Sequence, residues 1–226
     1  MVATIILDEG VEIPDGIRTL ADFRHWTYAE VFPERGRMDY INGRIEVDLS
    51  PEDLFCHGTA KMEIGSVLHQ LVKKQDMGNA FSDRTRIASL PGNFSAEPDL
   101  VFISHQSIDS GCVKLVLKQS RKKGRYIEVL GPPELIVEIV SDSSVAKDTR
   151  RLPAAYFAAG VPEFWLVDAR DEELVFRIHR RGDKEYVKRR PDRDGYQRSS
   201  VLGLRFRLDR HRDTRGNWQY DLLHAE

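Results

Sequence analysis

The sequence predicts an α/β fold, a mixed central sheet flanked by helices with extra antiparallel strands at its C-terminal end, and three stretches predict it. Residues 132–168 read PPELIVEIVSDSSVAKDTRRLPAAYFAAGVPEFWLVD. Two apolar runs, 135–140 and 164–167, flank a helical pattern that ends at Gly160. That is the spacing of a parallel strand–helix–strand crossover. Met62, Ile64, Val67, Leu68, Leu71 and Val72 form an apolar stripe at helical spacing. After Asp168 the chain alternates apolar and polar residues at 174–179, 185–188 and 201–206, the pattern of antiparallel strands.

The elements follow in order. Residues 1–20 read as an extended arm with one apolar run at 2–7. Phe23, Trp26 and Val31 predict a short helix over 21–32. Residues 38–49, MDYINGRIEVDL, predict a β-hairpin turning at Asn42-Gly43, because both residues accept the left-handed backbone that a tight hairpin needs. Ser50-Pro51-Glu52-Asp53 starts the next helix, with proline in its first turn, and Gly78 follows its end. Strands are predicted over 81–88 and 98–104. Residues 105–131 are less regular. The helix after the first crossover strand is predicted to begin at Asp148 or Thr149, either of which can cap it, with Pro153 in its first turn. The sheet-forming residues beyond 168 turn at Asp183-Lys184 and Asp194-Gly195. The expected division is an N-terminal arm (1–20), a core domain (21–180) and a C-terminal strand extension of that domain (181–226).

Composition narrows the class of function. The 226 residues are 41% hydrophobic and 31% charged, which fits a soluble globular chain with a substantial core. A net charge of −2 excludes a uniformly basic nucleic-acid binder but leaves room for a local basic patch. Cys56 and Cys112 stand far apart with no CxxC or His-spaced partner, against a zinc module or a disulfide framework and in keeping with a reducing cytoplasm. The N-terminus lacks the pattern of a signal peptide, and no run approaches the length of a membrane span.

Glu138 is the odd residue. It interrupts a run of Leu, Ile and Val that reads as buried on both faces. A lone carboxylate there is costly unless a metal ion or a cationic side chain compensates it. The other reading is an edge strand on which the Glu is solvated. Asp99 opens the strand after Pro98, on the same face as Val101 and Ile103, where a side chain can be held rigidly and still meet solvent. Two carboxylates on neighbouring strands can share a divalent cation, and hard oxygen ligands favour Mg²⁺ or Mn²⁺. Lys118, Arg121, Lys122, Lys123 and Arg125 form a basic cluster, either a solvated loop or a phosphate contact. His57 is read as a surface or capping residue, or as a contact to phosphate or metal. Tyr156 and Trp165 read as core aromatics, and Ser141, Ser143 and Ser144 as turn residues.

Four segments in order, RMDYING (37–43), EPDLVF (97–102), PELIVEIVS (133–141) and YFAAGVPEFWLVD (156–168), resemble the Uma family of restriction-endonuclease-type proteins within the PD-(D/E)xK nuclease superfamily. The resemblance spans about residues 20–180. It implies a restriction-endonuclease-like core, a Mg²⁺- or Mn²⁺-dependent endonuclease acting on DNA, and Asp99 and Glu138 as metal ligands. Asp39 falls where the family usually has Glu and is a candidate third carboxylate.

The superfamily places Lys two residues after the Glu, a position filled here by Val140. The family usually moves that Lys into the following helix, a position filled here by Leu152. Lys147 is the nearest lysine and the candidate for the catalytic role; the other reading is a solvated loop lysine. Arg121, Lys122, Lys123 and Arg125 would contact the DNA backbone. A homodimer would suit cleavage of both strands. The alternative is a nuclease-fold protein that has lost catalysis and serves as a binding or scaffold domain.

Overall fold

The computed structural model describes residues 5–6, 12–118 and 124–226. In chain order it places β1 (Ile5–Ile6), β2 (Glu12–Ile13), α1 (Leu20–Thr27), β3 (Arg37–Ile41), β4 (Arg44–Asp48), a π-helical turn at Leu54–Gly58, and α2 (Thr59–Lys74). Then come β5 (Gly78–Ser82), β6 (Arg86–Ser89), β7 (Phe94–Ala96), β8 (Leu100–Ser104), α3 (His105–Asp109), β9 (Lys114–Leu117), β10 (Tyr126–Leu130) and β11 (Leu135–Ile139). A second π-helical turn at Lys147–Arg151 leads into α4 (Leu152–Ala159). The chain ends with β12 (Glu163–Asp168), β13 (Val175–Arg181), β14 (Tyr186–Lys188), β15 (Gln197–Arg198), β16 (Arg205–Arg212) and β17 (Trp218–Ala225).

These strands build two mixed six-stranded sheets rather than one. The first runs β4-β3-β7-β6-β10-β9 and the second β14-β13-β12-β11-β8-β5. The crossover is present as expected: β11 and β12 pair in parallel through α4. β11 also pairs antiparallel with β8, so it is a central strand. The edge-strand reading of Glu138 is thereby overturned.

Alternation along β8 and β11 assigns the two faces of the second sheet. Leu100, Phe102, Leu135, Val137 and Ile139 pack under Ile64, Leu68 and Val72 of α2 and against Phe206, Leu208, Tyr220 and Leu222 of a separate three-stranded sheet, β15-β16-β17. Val101, Ile103 and Ile136 point the other way, toward α4 and the first sheet. The C-terminal strands therefore split: β13 and β14 extend the second sheet, while β15–β17 pack both against α2 and, through Phe206 on Trp165, against the same face of the second sheet. Residues 201–204 form a turn, not the strand the alternation predicts.

Other differences have local causes. The Asn42-Gly43 hairpin forms as predicted, both residues at positive φ (49° and 85°). Residues 81–88 are not one strand, because Asp83 and Arg84 both take positive φ and break it into the end of β5 and the start of β6. The first helix stops at Thr27 rather than 32. Pro51 lies outside the second helix, and Met62 is 72% exposed and so off its apolar stripe. Asp148 does not cap α4; it is buried inside the π turn that precedes it. Gly160 ends α4 in the left-handed conformation (φ 95°). Among the described residues no helix is long and apolar enough to cross a membrane.

Candidate active site

Five elements deliver charged side chains to one buried point between the sheets. The register of β8 against β11 pairs Leu135 with Phe102, Ile136 with Val101 and Val137 with Leu100. Its next step sets Asp99 opposite Glu138. Directly opposed residues of an antiparallel pair share a face, and this face is the one that turns toward α4. Both carboxylates are fully buried.

Asp99 is held from three sides. Ile139 N–H donates to Oδ2 at 2.7 Å, Arg37 Nη2 donates to Oδ1 at 2.9 Å, and His57 Nε2 lies 3.4 Å from Oδ2. Burial alone would raise its pKa, but His57 and Arg37 outweigh burial and hold the carboxyl well below the usual range. Glu138 is in the opposite state. Tyr156 hydroxyl donates to its Oε1, while its Oε2 is buried with no partner among the described residues. Burial first, then the charges of Asp148 and Asp99, push its pKa well up.

Asp39 reaches in from β3. Glu97 N–H donates to its Oδ1 at 3.0 Å, and Lys147 Nζ donates to its Oδ2 at 3.0 Å. Lys147 is itself buried, which disposes of the solvated-loop reading. Burial would lower its pKa, but Asp39 more than compensates and the ammonium is retained. The residue is placed by the loop that follows β11. Val140 N–H is fixed to Val167, Ser144 hydroxyl donates to Asp148, and Ser143 hydroxyl donates to Asp48 at 2.8 Å. The π turn widens the first turn of the helix, and Lys147 and Asp148 both end buried. Such turns recur at functional sites. Burial raises Asp148 to about 6 against the opposing pull of Lys147 and Ser144.

The other π turn carries His57. Asp53 caps it, accepting from Phe55 N–H at 2.9 Å and also from Cys56 N–H. His57 is 4% exposed, so it is neither a surface residue nor a cap. Its Nδ1 lies 3.3 Å from Glu52 Oε2, off the line of a hydrogen bond. Burial would lower its pKa, yet Asp99 and Glu52 raise it to about 9. Lys61 bonds Glu52 at 2.7 Å and Asp83 at 2.8 Å. A cleft of about 400 Å³ opens above this group, lined in part by Arg37, Glu52, His57, Asp83 and Arg84.

Glu52, His57 and Asp99 present ligand atoms within 4.8 Å of one another, close enough to hold a metal ion. Glu138 adds a second indication, since an unpartnered buried carboxylate oxygen is what a cation would satisfy.

A family model described as "Uma2: Putative restriction endonuclease" matches residues 20–210. The chain belongs to this family. A crystal structure from Anabaena variabilis, titled as that of a "putative nuclease belonging to DUF820", aligns with a TM-score of 0.60 at 21% identity, covering 82% of this chain and 90% of that one. At that identity the likeness shows the fold, a nuclease-like one. No curated protein matches.

Against that family pattern, the structure brings Asp39, Asp99, Glu138 and Lys147 into one cluster. Leu152, at the position where the family carries its lysine, is buried among Phe94, Tyr156 and their apolar neighbours. Arg121, Lys122 and Lys123 lie outside the described residues. Arg125 is exposed, its carbonyl accepting from Lys118 N–H at 2.7 Å. Sequence reasoning missed Arg37, Glu52 and Asp148, set His57 aside, and read Tyr156 as packing alone. Arg37 had a usable signal, because it opens the hairpin motif that carries Asp39.

Proposed function

We propose that this protein is a divalent-metal-dependent endonuclease that hydrolyses the phosphodiester backbone of DNA. The observation that carries the reading is the opposition of Asp99 and Glu138 on adjacent strands, with a buried lysine delivered to the same cluster. The family assignment supports it. Asp99 and Glu138 would hold Mg²⁺ or Mn²⁺, whose chemistry when bound is to acidify a water and to draw charge from a phosphoryl oxygen.

The chain's own groups do the rest. Lys147, fixed by Asp39, presents a rigid ammonium where charge develops in the transition state. Asp39 positions that lysine and, through Glu97 N–H, the segment leading to Asp99. Arg37, at the mouth of the cleft, is a donor for a backbone phosphate once Asp99 turns to an ion. The exposed stretch around Arg125 would bear on the DNA backbone farther out. Burial of the whole cluster keeps these charges poorly screened and therefore strong.

The test is cleavage of supercoiled plasmid and of single-stranded DNA with Mg²⁺ or Mn²⁺, using wild type, Asp99→Ala and Glu138→Ala. Cleavage by wild type alone supports the proposal. A wild type inactive with both metals and both substrates refutes it and favours the alternative, a non-catalytic binding domain.

A further inference from the structure

We infer that His57 is a nitrogen ligand to the cation held at Asp99, oriented by Glu52, and that this makes the site selective for Mn²⁺ and similar transition ions over Mg²⁺. The inference deepens the metal-dependent reading above and rests on it.

His57 has the arrangement that a metal-bound imidazole shows. One ring nitrogen, Nε2, faces Asp99 Oδ2 at 3.4 Å, and the other, Nδ1, faces a carboxylate, Glu52 Oε2, at 3.3 Å. A ligating histidine commonly directs its second nitrogen at a carboxylate, which fixes the ring orientation and tautomer. The ring is buried, and among the described residues Nδ1 has no aligned hydrogen-bond partner. Glu52 is in turn braced by Lys61, whose other partner is Asp83. A histidine needed only for packing in the turn before α2 would not require this second layer of charges.

Cationic groups from three elements crowd the Asp99 side of the cluster: Arg37, the His57 ring and, one layer out, Lys61. The His57 ring thus lies against Asp99 where a cation would. Mg²⁺ prefers oxygen ligands and keeps its waters; Mn²⁺ shares the taste for oxygen but, as a transition ion, also accepts an imidazole, and later transition ions accept it more readily still. An imidazole beside two carboxylates therefore shifts the preference of an otherwise all-oxygen site.

The test binds Mn²⁺ and Mg²⁺ separately to ion-free wild type, His57→Gln, Glu52→Gln and Glu138→Gln, by calorimetric titration. Pulsed electron paramagnetic resonance of the Mn²⁺ forms then looks for a directly bound nitrogen. Wild type should show nitrogen coupling and bind Mn²⁺ on the order of tenfold more tightly than Mg²⁺. His57→Gln should lose the coupling and the preference while still binding Mg²⁺. Glu52→Gln should keep the coupling but bind Mn²⁺ about tenfold more weakly, as expected for a residue that only orients a ligand. Bound Mn²⁺ without nitrogen coupling in wild type, or coupling that survives His57→Gln, overturns the inference. Mn²⁺ binding that is lost in Glu138→Gln but lacks nitrogen coupling refutes the histidine alone and leaves the Asp99–Glu138 pair standing. No binding of either ion to wild type refutes the metal-dependent reading itself.

Discussion

Replacing Glu138 with Gln should stabilise the ion-free protein while abolishing its response to metal. Glu138 is fully buried, one of its oxygens has no partner among the described residues, and Asp148 and Asp99 repel its charge. Gln keeps the size and the oxygen that accepts from Tyr156, and it removes the charge. Gln still places a polar nitrogen where the unpartnered oxygen was, so the gain is relief of the charge alone. A buried group left unsatisfied costs about 1–3 kcal/mol and a charged one more, and the relief is taken on that same scale. For a chain of this length each kcal/mol moves Tm by roughly 2–4 °C. The expected gain is therefore about 2–12 °C in a thermal melt at pH 7 with chelator present.

The pH dependence has a definite sign. The folded-state pKa of Glu138 lies above its ordinary 4.5, so the wild type is least penalised below that pH and loses stability as pH rises through the folded value. Below about pH 4.5 the two proteins should melt together, and the advantage of Gln should open as pH rises. Saturating Mn²⁺ should then raise Tm of the wild type and not of the variant. A Glu138→Gln protein that melts at or below wild type with chelator at pH 7, or whose advantage is the same at pH 4 and pH 8, would refute the reasoning.

Lys147→Ala strands the buried carboxylate of Asp39 and should cost about 3–5 kcal/mol in urea unfolding. Adding Asp39→Asn should recover much of that loss, while cleavage stays abolished and Mn²⁺ binding is retained. Full cleavage by Lys147→Ala removes the lysine from the mechanism. Leu152 sits one helical turn before Tyr156, whose hydroxyl meets Glu138. Leu152→Lys should therefore restore measurable plasmid cleavage to Lys147→Ala, and continued inactivity in a folded double variant would show that this face does not reach the ion. His57, raised from 6.5 to about 9, contributes stability to the ion-free protein that is complete below pH 6.5 and lost as pH rises through about 9. In chemical denaturation His57→Gln should flatten the slope between those values, and an unchanged slope would count against the Asp99–His57 contact.

The sequence by itself determined the parts of this protein that depend on local periodicity. The run around Glu138, the Asn42-Gly43 turn and Gly160 after the helical pattern each carry their physical reason within a few residues, and each appears in the structure. The two-residue repeat of a strand told which neighbours share a face with Asp99 and which with Glu138, but that the two carboxylates share one face, directly opposed, came only with the register.

What only the tertiary structure decided has the opposite character. Asp83 and Arg84 break a strand through backbone angles that no side-chain pattern announces. The two π turns shift the start of each flanking helix, so helical spacing misjudged Pro51 and Asp148, whereas Met62, two residues before Ile64, simply lies off the buried face of α2. His57, Glu52 and Arg37 join the cluster from segments more than 40 residues away from Asp99, and Lys147 finds Asp39 across 108 residues of chain. Charge pairing in a buried site is set by which strands lie side by side. That is settled by packing the two sheets around α4, not by the residues adjacent to each charge in the sequence.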